Sequence, residues 1–264
     1  MLPETLKPYH VHLNNLERLG DKSDGGYVIH KKSIKQSQVL VSIGLGENWS
    51  FEKDSIKHNN KIKILMFDHT VNNYFFFKKF FKDILHFFLL KKLRLKKLMN
   101  IFLYFDYLFF FKKKNVSHIK KKVGNRNVDG QISITKILKN LINKKTVSVF
   151  LKVDIEGDEY SLLNDIQRFE HSINSLIIEF HQISENNNLK KILSFVKKLK
   201  LLKIIHVHGN NIYLKKNVHD IIEITFANAK YLSFEKFKSK RSYPISQLDY
   251  PNHPRKIDKK LRFF

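Results

Sequence analysis

The chain has 264 residues, 42% hydrophobic and 28% charged, a composition that supports a folded core and excludes disorder as its main state. It contains no cysteine, which excludes disulfides, thiolate metal sites, iron–sulfur clusters and a cysteine nucleophile. The formal charge of +25 would attract nucleic acid, an anionic membrane or a phosphorylated substrate. An AT-rich genome would produce the same excess of Lys, Asn, Ile and Phe, so charge alone does not define the function.

The N-terminal residues lack the basic and apolar regions of a secretory signal, so we expect a cytoplasmic protein. The two most apolar stretches are Ile84–Leu90 and Ile101–Phe111, interrupted by His86 and Asp106 respectively. Both are shorter than the roughly 18 to 20 apolar residues that a spanning helix needs.

Short apolar runs alternate with helical periodicity along much of the chain, which predicts an α/β fold with a mostly parallel sheet and helices on both faces. The predicted strands lack polar alternation, as strands buried on both faces do. They are Val39–Ile43, Ile62–Phe67, Val147–Val153, Leu176–Phe180, Ile204–Val207 and Ile221–Phe226. Apolar spacing predicts helices around residues 134–142 and 189–199, and a third that begins at Asp158.

The chain is predicted to form a single domain that begins with an N-terminal segment at residues 1–37. Two other segments of this domain do not fit the alternation of strands and helices. Residues 74–122 are rich in Phe and Lys, and we interpret them as a helical insertion. Its phenylalanines either pack inward beneath solvated lysines or lie on an anionic membrane surface or against phosphates. Residues 241–264 contain three prolines, which predicts an extended tail.

A glycine motif joins the first predicted core strand to a helix that opens at Trp49. Gly44 and Gly46 let the backbone turn sharply and let a ligand approach bare amide groups. Asp68 ends the next strand about twenty residues later, where nucleotide-binding α/β folds place a carboxylate that accepts from ribose hydroxyls. This spacing favours a ligand site over a tight turn followed by a surface aspartate.

A second motif follows the predicted strand at 147–153, where Asp154 and Glu156 precede Gly157. Ligands of open α/β sheets bind outside the carboxyl ends of the strands. We therefore expect Asp154 and Glu156 to face the same crevice as Gly44 and Asp68.

The run Lys-x-Asp-x-Glu-Gly at residues 152–157, followed by an acidic helix start, resembles the signature of the FkbM family of S-adenosylmethionine-dependent methyltransferases. The similarity covers roughly residues 16–70 and 146–227, whereas residues 74–122 carry no matching motif. Other similar stretches are Arg18-Leu19-Gly20, Asp24-Gly25-Gly26-Tyr27-Val28, Ser42 to Asn48, Phe67-Asp68-His69-Thr70, Glu179-Phe180-His181, His206 to Asn211, and Leu248 to Asn252.

The resemblance implies a class I methyltransferase (Rossmann-like) fold, with a seven-stranded sheet whose last strand is antiparallel, and S-adenosylmethionine as the cofactor. Gly44 and Gly46 would approach the methionine part of the cofactor, and Asp68 would hold its ribose. Asp154 would face the sulfonium and the acceptor. Asn48 replaces a third glycine and is counted among the cofactor contacts, and Ser42 stands where many class I enzymes have an acidic residue.

Methyl transfer is an in-line displacement that depends on alignment and, for a hydroxyl acceptor, on removal of a proton. The candidate bases are Asp154, Glu179 and His181, each at or just past the carboxyl end of a strand. His181 is our first choice because an unperturbed imidazole titrates near pH 6.5. The alternative for His181 is a structural hydrogen bond to a loop carbonyl.

A divalent cation is a further alternative, since mixed carboxylate and imidazole groups end neighbouring strands. The residues that could supply ligands are Asp154, Glu156, Glu179, His181, His206 and His208. None of their spacings is a specific ligand signature, so no metal is assigned. The residues assigned to substrate binding are Asp24, Tyr27, Glu156, His206 and His208, with a plain loop as the alternative for Asp24 and Tyr27.

The resemblance implies a methyltransferase that acts on a hydroxyl of a small molecule, a sugar or glycan, or a lipid-linked intermediate. One alternative is a metal-dependent glycosyltransferase that uses a nucleotide-sugar. Another is a non-enzymatic basic module that binds RNA or a membrane through the Phe/Lys segment. A nucleic-acid partner is disfavoured because carboxylates at the strand ends would repel phosphates.

Overall fold

The computed structural model describes residues 1–89, 94–142, 147–215, 218–232 and 237–264, without the side chains of residues 89, 94–101 and 218. The described strands are β1 (Leu16–Leu19), β2 (Tyr27–His30), β3 (Val39–Ile43), β4 (Lys63–Phe67), β5 (Val116–Ile119), β6 (Lys122–Gly124), β7 (Gln131–Ser133), β8 (Val149–Val153), β9 (Ile173–Phe180), β10 (Leu202–Gly209), β11 (Leu214–Lys215), β12 (Val218–His219) and β13 (Ile222–Asn228). The described α-helices are α1 (Lys31–Lys35), α2 (Ser50–His58), α3 (Asn73–Leu89), α4 (Arg94–Phe111), α5 (Ile134–Ile142), α6 (Leu163–Arg168) and α7 (Asn186–Lys198).

Seven of these strands form the main sheet, in the order β10-β13-β9-β8-β3-β4-β5. Strand β3 lies near the middle and pairs in parallel with β4 and β8. The last strand in the chain, β13, lies between β9 and β10 and is antiparallel to both. A mostly parallel seven-stranded sheet with an antiparallel last strand is the class I methyltransferase, Rossmann-like fold predicted from the sequence.

The main sheet is covered on both faces, which explains why its strands lack polar alternation. Successive residues of a strand point to opposite faces. Val41 and Leu151 therefore pack in one core with α5, α6 and α7, whereas Leu40 and Phe150 pack in another core with α2, α3 and α4.

The six predicted strands all correspond to strands of this sheet, and β3 has the predicted bounds. Strand β9 begins three residues before its predicted start because the polar residues there are buried with partners: Ser175 donates to the Phe226 carbonyl at 2.6 Å, and Asn174 donates to the Gln36 carbonyl at 3.2 Å. The helices predicted at 134–142 and 189–199 correspond to α5 and α7. The predicted third helix begins as a 3-10 turn at Asp158–Ser161 and continues as α6.

The segment predicted as a helical insertion, residues 74–122, is only partly helical. It supplies α3 and α4, which pack against each other, but it also supplies β5, the edge strand that pairs in parallel with β4. The sequence of β5 is Val-Ser-His-Ile, too short and too polar at its centre to be recognised as a core strand. Residues 90–93 of this segment fall outside the described residues. Of the helices in the described ranges, none is long and apolar enough to cross a membrane.

The C-terminal tail lies along the edge strand β10 rather than apart from the domain. Tyr243 is buried, and its backbone bridges to Leu261. Phe263 pairs with Leu2, so the tail also holds the N-terminus of the chain. The tail can therefore contribute side chains to the edge of the sheet near the strand ends.

Candidate functional site

A cleft of about 400 Å³ opens at the carboxyl ends of β3, β4 and β8, where ligands of open α/β sheets bind. Its volume falls within the roughly 300 to 1,000 Å³ typical of small-molecule sites. Seven of the residues predicted to form the site line it: Asp24, Gly44, Gly46, Asn48, Asp68, Asp154 and Glu156. The topology therefore brings the two sequence motifs and the Asp24 loop together.

The two glycine positions of the first motif differ in how closely other atoms approach them. Both have a positive φ, 87° at Gly44 and 54° at Gly46. A Cβ atom on Gly44 would lie 1.6 Å from the carbonyl oxygen of Asp154, so only glycine fits between β3 and β8. A Cβ atom on Gly46 would meet nothing within 4 Å and would project into open space beside the cleft. Gly44 is thus needed by the fold, and Gly46 keeps the cleft accessible.

Asp68 holds the glycine loop in place, a role that the sequence did not reveal. One carboxylate oxygen accepts from the amides of Leu45 and Gly46, at 2.9 and 3.0 Å. The other accepts from the amide and hydroxyl of Thr70, both at 2.6 Å. Burial alone would raise the pKa of Asp68, but these hydrogen bonds hold its pKa below the ordinary value. The four strongest acceptor positions of this carboxylate are therefore used by the protein itself.

Asn48 connects the two loops that border the cleft. Its Nδ2 donates to the Asp21 carboxylate at 3.0 Å and to the Asp24 carbonyl at 3.1 Å. Its Oδ1 accepts from the Ser50 amide at the start of α2. Although Asn48 lines the cleft as predicted, its polar atoms are occupied in joining these loops.

Lys152, which the sequence analysis did not select as a site residue, lies buried at the base of the cleft. Its ammonium group is 3.7 Å from Glu52 and donates to the Gly44 carbonyl at 3.3 Å. Glu52 of α2 also accepts from the hydroxyl of Ser42 on β3 at 2.6 Å. The matching signal in the sequence was the lysine that begins the Lys-x-Asp-x-Glu-Gly run.

Asp154 and Glu179 are joined by the hydroxyl of Tyr27. This hydroxyl lies 3.2 Å from Asp154 and 3.5 Å from Glu179, which also accepts from Asn210 at 3.1 Å. Burial, with Lys152 opposing it, raises the pKa of Asp154, and burial together with Asp154 raises the pKa of Glu179 well above its ordinary value. Glu179 therefore favours its neutral form, and Asp154 is the carboxylate of this pair that reaches the cleft.

His181 lies behind the cleft wall rather than on it. Its Nδ1 is 3.3 Å from Glu159, and its Nε2 is 3.4 Å from Glu156 and 3.9 Å from Glu179. Burial lowers the pKa of His181, but the hydrogen bond and charge of Glu159 outweigh burial and raise it above 6.5. The cationic imidazolium is thus favoured, which weakens our first choice of His181 as the proton acceptor.

The two histidines of β10 do not line the cleft. His208 contacts Glu223 at 3.3 Å and Asp258 of the tail at 3.0 Å, and the two bonds outweigh burial and raise its pKa to about 10. His206 contacts Asp249 of the tail at 2.8 Å. Both histidines fasten the tail to the sheet, and neither is placed to touch a ligand in the cleft.

A second set of carboxylates lies beside the cleft. Oxygens of Asp24, Glu179 and Glu223 lie within 4.8 Å of one another, and Asn252 of the tail donates to both Asp24 and Glu223. A ligand atom from each of Asp154, Glu156 and His181 forms a similar group within 4.8 Å. Carboxylate and imidazole groups of this kind can serve as ligands of a divalent cation.

The charge lining the cleft is opposite to that of the whole chain. The carboxylates lining it are Asp24, Glu47, Asp68, Asp154, Glu156 and Asp158, and the lysines are Lys121, Lys122 and Lys152. Lys122 is paired with Asp158, Lys79 with Glu47, and Lys152 with Glu52. The acidic lining therefore favours a positively charged ligand, although the net charge of the whole chain is +25.

No family model and no curated protein matches this chain. Among solved structures, the chain is similar to the precorrin-6y C5,15-methyltransferase of Geobacter metallireducens, with 12% identity over 75% of this chain and 85% of that chain and a TM-score of 0.38. It is also similar to the O-methyltransferase TomG of Streptomyces achromogenes in complex with SAM, with 8% identity over 74% and 75% of the chains and a TM-score of 0.39. A SAM-dependent methyltransferase of Aquifex aeolicus matches at 11% identity over 74% and 85%, with a TM-score of 0.32.

The different environments of the two glycines predict losses of stability of different size for the same substitution. Gly44→Ala should lower the free energy of unfolding by about 3 kcal/mol or more, because backbone must move to admit the methyl group. Gly46→Ala should cost only about 1 kcal/mol, the strain of a positive φ. Urea denaturation of both variants measures this difference, and equal losses of stability would contradict the assignment.

The environment of His208 predicts a pH-dependent stability. Its pKa is about 10 in the folded protein against 6.5 as the ordinary value. The stabilisation is fully present below pH 6.5 and is lost as the pH rises through about 10. His208→Gln should therefore cost about 3 to 5 kcal/mol near pH 6 and less above pH 10.

Urea denaturation of His208→Gln at several pH values checks this prediction, with the exposed His171→Gln as the matched control. The control should leave the pH profile of stability unchanged. A loss of stability in His208→Gln that is the same at all pH values would contradict the ion-pair assignment.

Proposed function

We propose that the protein is an S-adenosylmethionine-dependent methyltransferase that binds its cofactor in this cleft and methylates a hydroxyl group of a sugar, a glycan or a lipid-linked intermediate. The observation that carries the cofactor assignment is the acidic lining of a cleft in a class I methyltransferase fold, with six carboxylates against three lysines. The sulfonium and ammonium groups of the cofactor are cationic, so the lining would attract them.

The residues at the cleft fit this cofactor. The cavity of about 400 Å³ can hold a ligand of that size, and the open space beside Gly46 leaves the loop amides approachable. When bound, S-adenosylmethionine supplies an electrophilic methyl group on a positively charged sulfur. Gly44 and Gly46 would border its methionine part, with Asp154 facing the sulfonium.

The role of Asp68 in this proposal is to fix the shape of the glycine loop. The ribose contact implied by the family resemblance would have to share carboxylate oxygens that already accept from Leu45, Gly46 and Thr70. Loss of the Asp68 carboxylate should therefore release the loop as well as weaken binding, because three backbone amides would lose their acceptor.

Asp154 is the proton acceptor that the contacts favour. It reaches the cleft, whereas Glu179 favours its neutral form and His181 lies behind the wall. A carboxylate of raised pKa is a better base than an ordinary aspartate at neutral pH. Tyr27 would orient Asp154 through the hydrogen bond from its hydroxyl.

A metal-dependent glycosyltransferase is the second candidate, because Asp154, Glu156 and His181 offer ligand atoms within 4.8 Å of one another. In that case a divalent cation would bridge these groups to a diphosphate that the acidic lining otherwise repels. The candidate requires binding of a nucleotide-sugar that depends strictly on a divalent metal.

The first prediction from this proposal concerns the cofactor. Isothermal titration calorimetry of the wild-type protein should give micromolar binding of S-adenosylmethionine and S-adenosylhomocysteine with EDTA present. Gly46→Val should weaken both at least tenfold, because the side chain fills the space beside the loop.

The stability of Gly46→Val, measured by urea denaturation, is the control for folding. A nucleotide-sugar with and without Mg²⁺ or Mn²⁺ is titrated in parallel. Absence of binding by either adenosyl compound, with metal-dependent binding of the nucleotide-sugar, would overturn the methyltransferase proposal in favour of the second candidate.

The second prediction concerns the charge of Asp154. Asp154→Asn keeps the shape of the side chain but removes a negative charge where the sulfonium would lie. We expect roughly a tenfold loss of affinity for cationic S-adenosylmethionine and a change of less than about threefold for S-adenosylhomocysteine, whose sulfur is neutral. Equal losses for the two compounds in calorimetry would remove Asp154 from the neighbourhood of the sulfonium.

A further inference from the structure

Helices α3 and α4 expose a row of large apolar side chains, which we call the aromatic stripe: Tyr74, Phe77, Phe81, Leu85, Phe88, Phe102, Phe105 and Phe109. On each helix these residues recur every three or four positions and therefore share one face. They make up eight of the sixteen exposed large hydrophobic residues in the described ranges. Phe88 is 74% exposed and Phe109 is 67% exposed.

The fold does not require the aromatic stripe, because other residues of the same helices pack inward. Phe76 and Tyr107 are buried against Trp49, with ring centroids 5.5 and 5.8 Å from it. Phe80 connects the two halves of the stripe, since its ring lies 5.4 Å from both Phe81 and Phe105. The two helices thus present one continuous apolar surface, a feature that in soluble proteins marks an interaction site.

The charges beside the aromatic stripe are positive. The ammonium of Lys78 lies 4.5 Å from the ring centre of Tyr74, and that of Lys112 lies 5.9 Å from the ring centre of Phe109. Further exposed lysines on and just after these helices are Lys82, Lys113 and Lys114. The sequence between Leu89 and Ile101 adds four lysines and one arginine and no acidic residue.

The acidic groups of this region are withdrawn from the surface or neutralised. Asp83 of α3 is buried, and Asp106 of α4 forms an ion pair with Lys53. Glu47, from the neighbouring loop, forms an ion pair with Lys79. Lysines therefore outnumber acidic residues in the parts of α3 and α4 whose side chains are described.

We propose that the aromatic stripe docks the protein on a membrane surface that contains anionic lipids. Amphipathic helices with an exposed apolar face and a lysine border adsorb at such surfaces by burying the apolar side chains among the headgroups while the lysines contact lipid phosphates. A second copy of the chain is the poorer occupant, because pairing two stripes would bring the two lysine borders together. RNA is also the poorer occupant, because the unbroken apolar row would gain little from a phosphate backbone.

The aromatic stripe lies close to the cleft, which relates membrane docking to the proposed activity. Lys79 of α3 pairs with Glu47, which lines the cleft, and Trp49 just after that loop packs on both helices. A docked protein would hold the cleft beside the lipid headgroups, where a lipid-linked acceptor is located. This use rests on the proposed function, whereas the docking itself does not.

Co-sedimentation with vesicles tests the docking without cofactor or acceptor. The wild-type protein should sediment with vesicles of equimolar phosphatidylcholine and phosphatidylglycerol, and at least tenfold more weakly with phosphatidylcholine alone. The triple variant Phe81→Ser/Phe105→Ser/Phe109→Ser should lose at least tenfold in vesicle affinity. The charge variant Lys78→Gln/Lys82→Gln/Lys112→Gln should lose a similar factor.

Matched controls remove residues of the same type elsewhere. Leu201→Ser/Tyr213→Ser/Ile257→Ser replaces three exposed apolar residues outside the stripe, and Lys190→Gln/Lys197→Gln/Lys198→Gln replaces three exposed lysines of α7. Both should bind vesicles within about threefold of the wild-type protein if the docking surface is local. Urea denaturation checks that each variant is folded.

Several outcomes would overturn the proposal. They are absence of vesicle binding, equal binding to both vesicle compositions, loss of binding in the controls as large as in the stripe variants, and binding of a single-stranded RNA without binding of vesicles. Sedimentation velocity that shows a dimer abolished by the stripe variants, with no vesicle binding, would assign the surface to a second copy instead. Cofactor calorimetry on the stripe variants separates the two proposals, since docking can fail while cofactor binding is retained.

Discussion

The buried ammonium group of Lys152 is the interaction on which the cleft depends. It lies between Glu52 and the carbonyl of Gly44, and its charge acts on Asp154 at the end of the same strand. An ion taken out of water must be compensated by partners, since an unpaired buried charge costs several kcal/mol. Burial lowers the pKa of Lys152, but Glu52 and the other carboxylates outweigh burial and raise it. The lysine therefore stays charged and lets several acidic groups gather at one sheet edge.

The acidic groups around this lysine have separate tasks that follow from their contacts. Asp68 holds the glycine loop, and Glu223 contacts His208 and Asn252. Burial and the nearby Asp154 raise the pKa of Glu179 well above its ordinary value. Asp154 alone of the buried carboxylates beside Tyr27 faces the cleft. A strongly basic chain thus contains an acidic cleft, so the charge at the cleft is opposite in sign to the net charge of the whole protein.

Part of the excess positive charge lies on and beside the helices that interrupt the βα alternation. The inner residues of α3 and α4 complete the core around Trp49, while their outer face shows phenylalanines and lysines. Some phenylalanines of the Phe/Lys segment thus pack inward, as one of its two interpretations predicts, and others are exposed in the described structure. The C-terminal tail is held by ion pairs, since Asp249 and Asp258 fasten it to the buried histidines of β10.

The sequence by itself determined most of the main sheet, because strands buried on both faces are largely apolar. It also located the glycine and Asp154 motifs, because a cleft at strand ends needs bare amides and carboxylates there. It could not separate β5 from the helices before it, nor decide what each polar side chain touches. Only the tertiary structure shows that Asp68 and Asn48 hold loops through their hydrogen bonds, and that Glu52 lies beside Lys152. It also shows that His206 and His208, which were predicted to bind substrate, contact the tail instead of lining the cleft. These contacts join residues far apart in the chain, so no local pattern of the sequence encodes them.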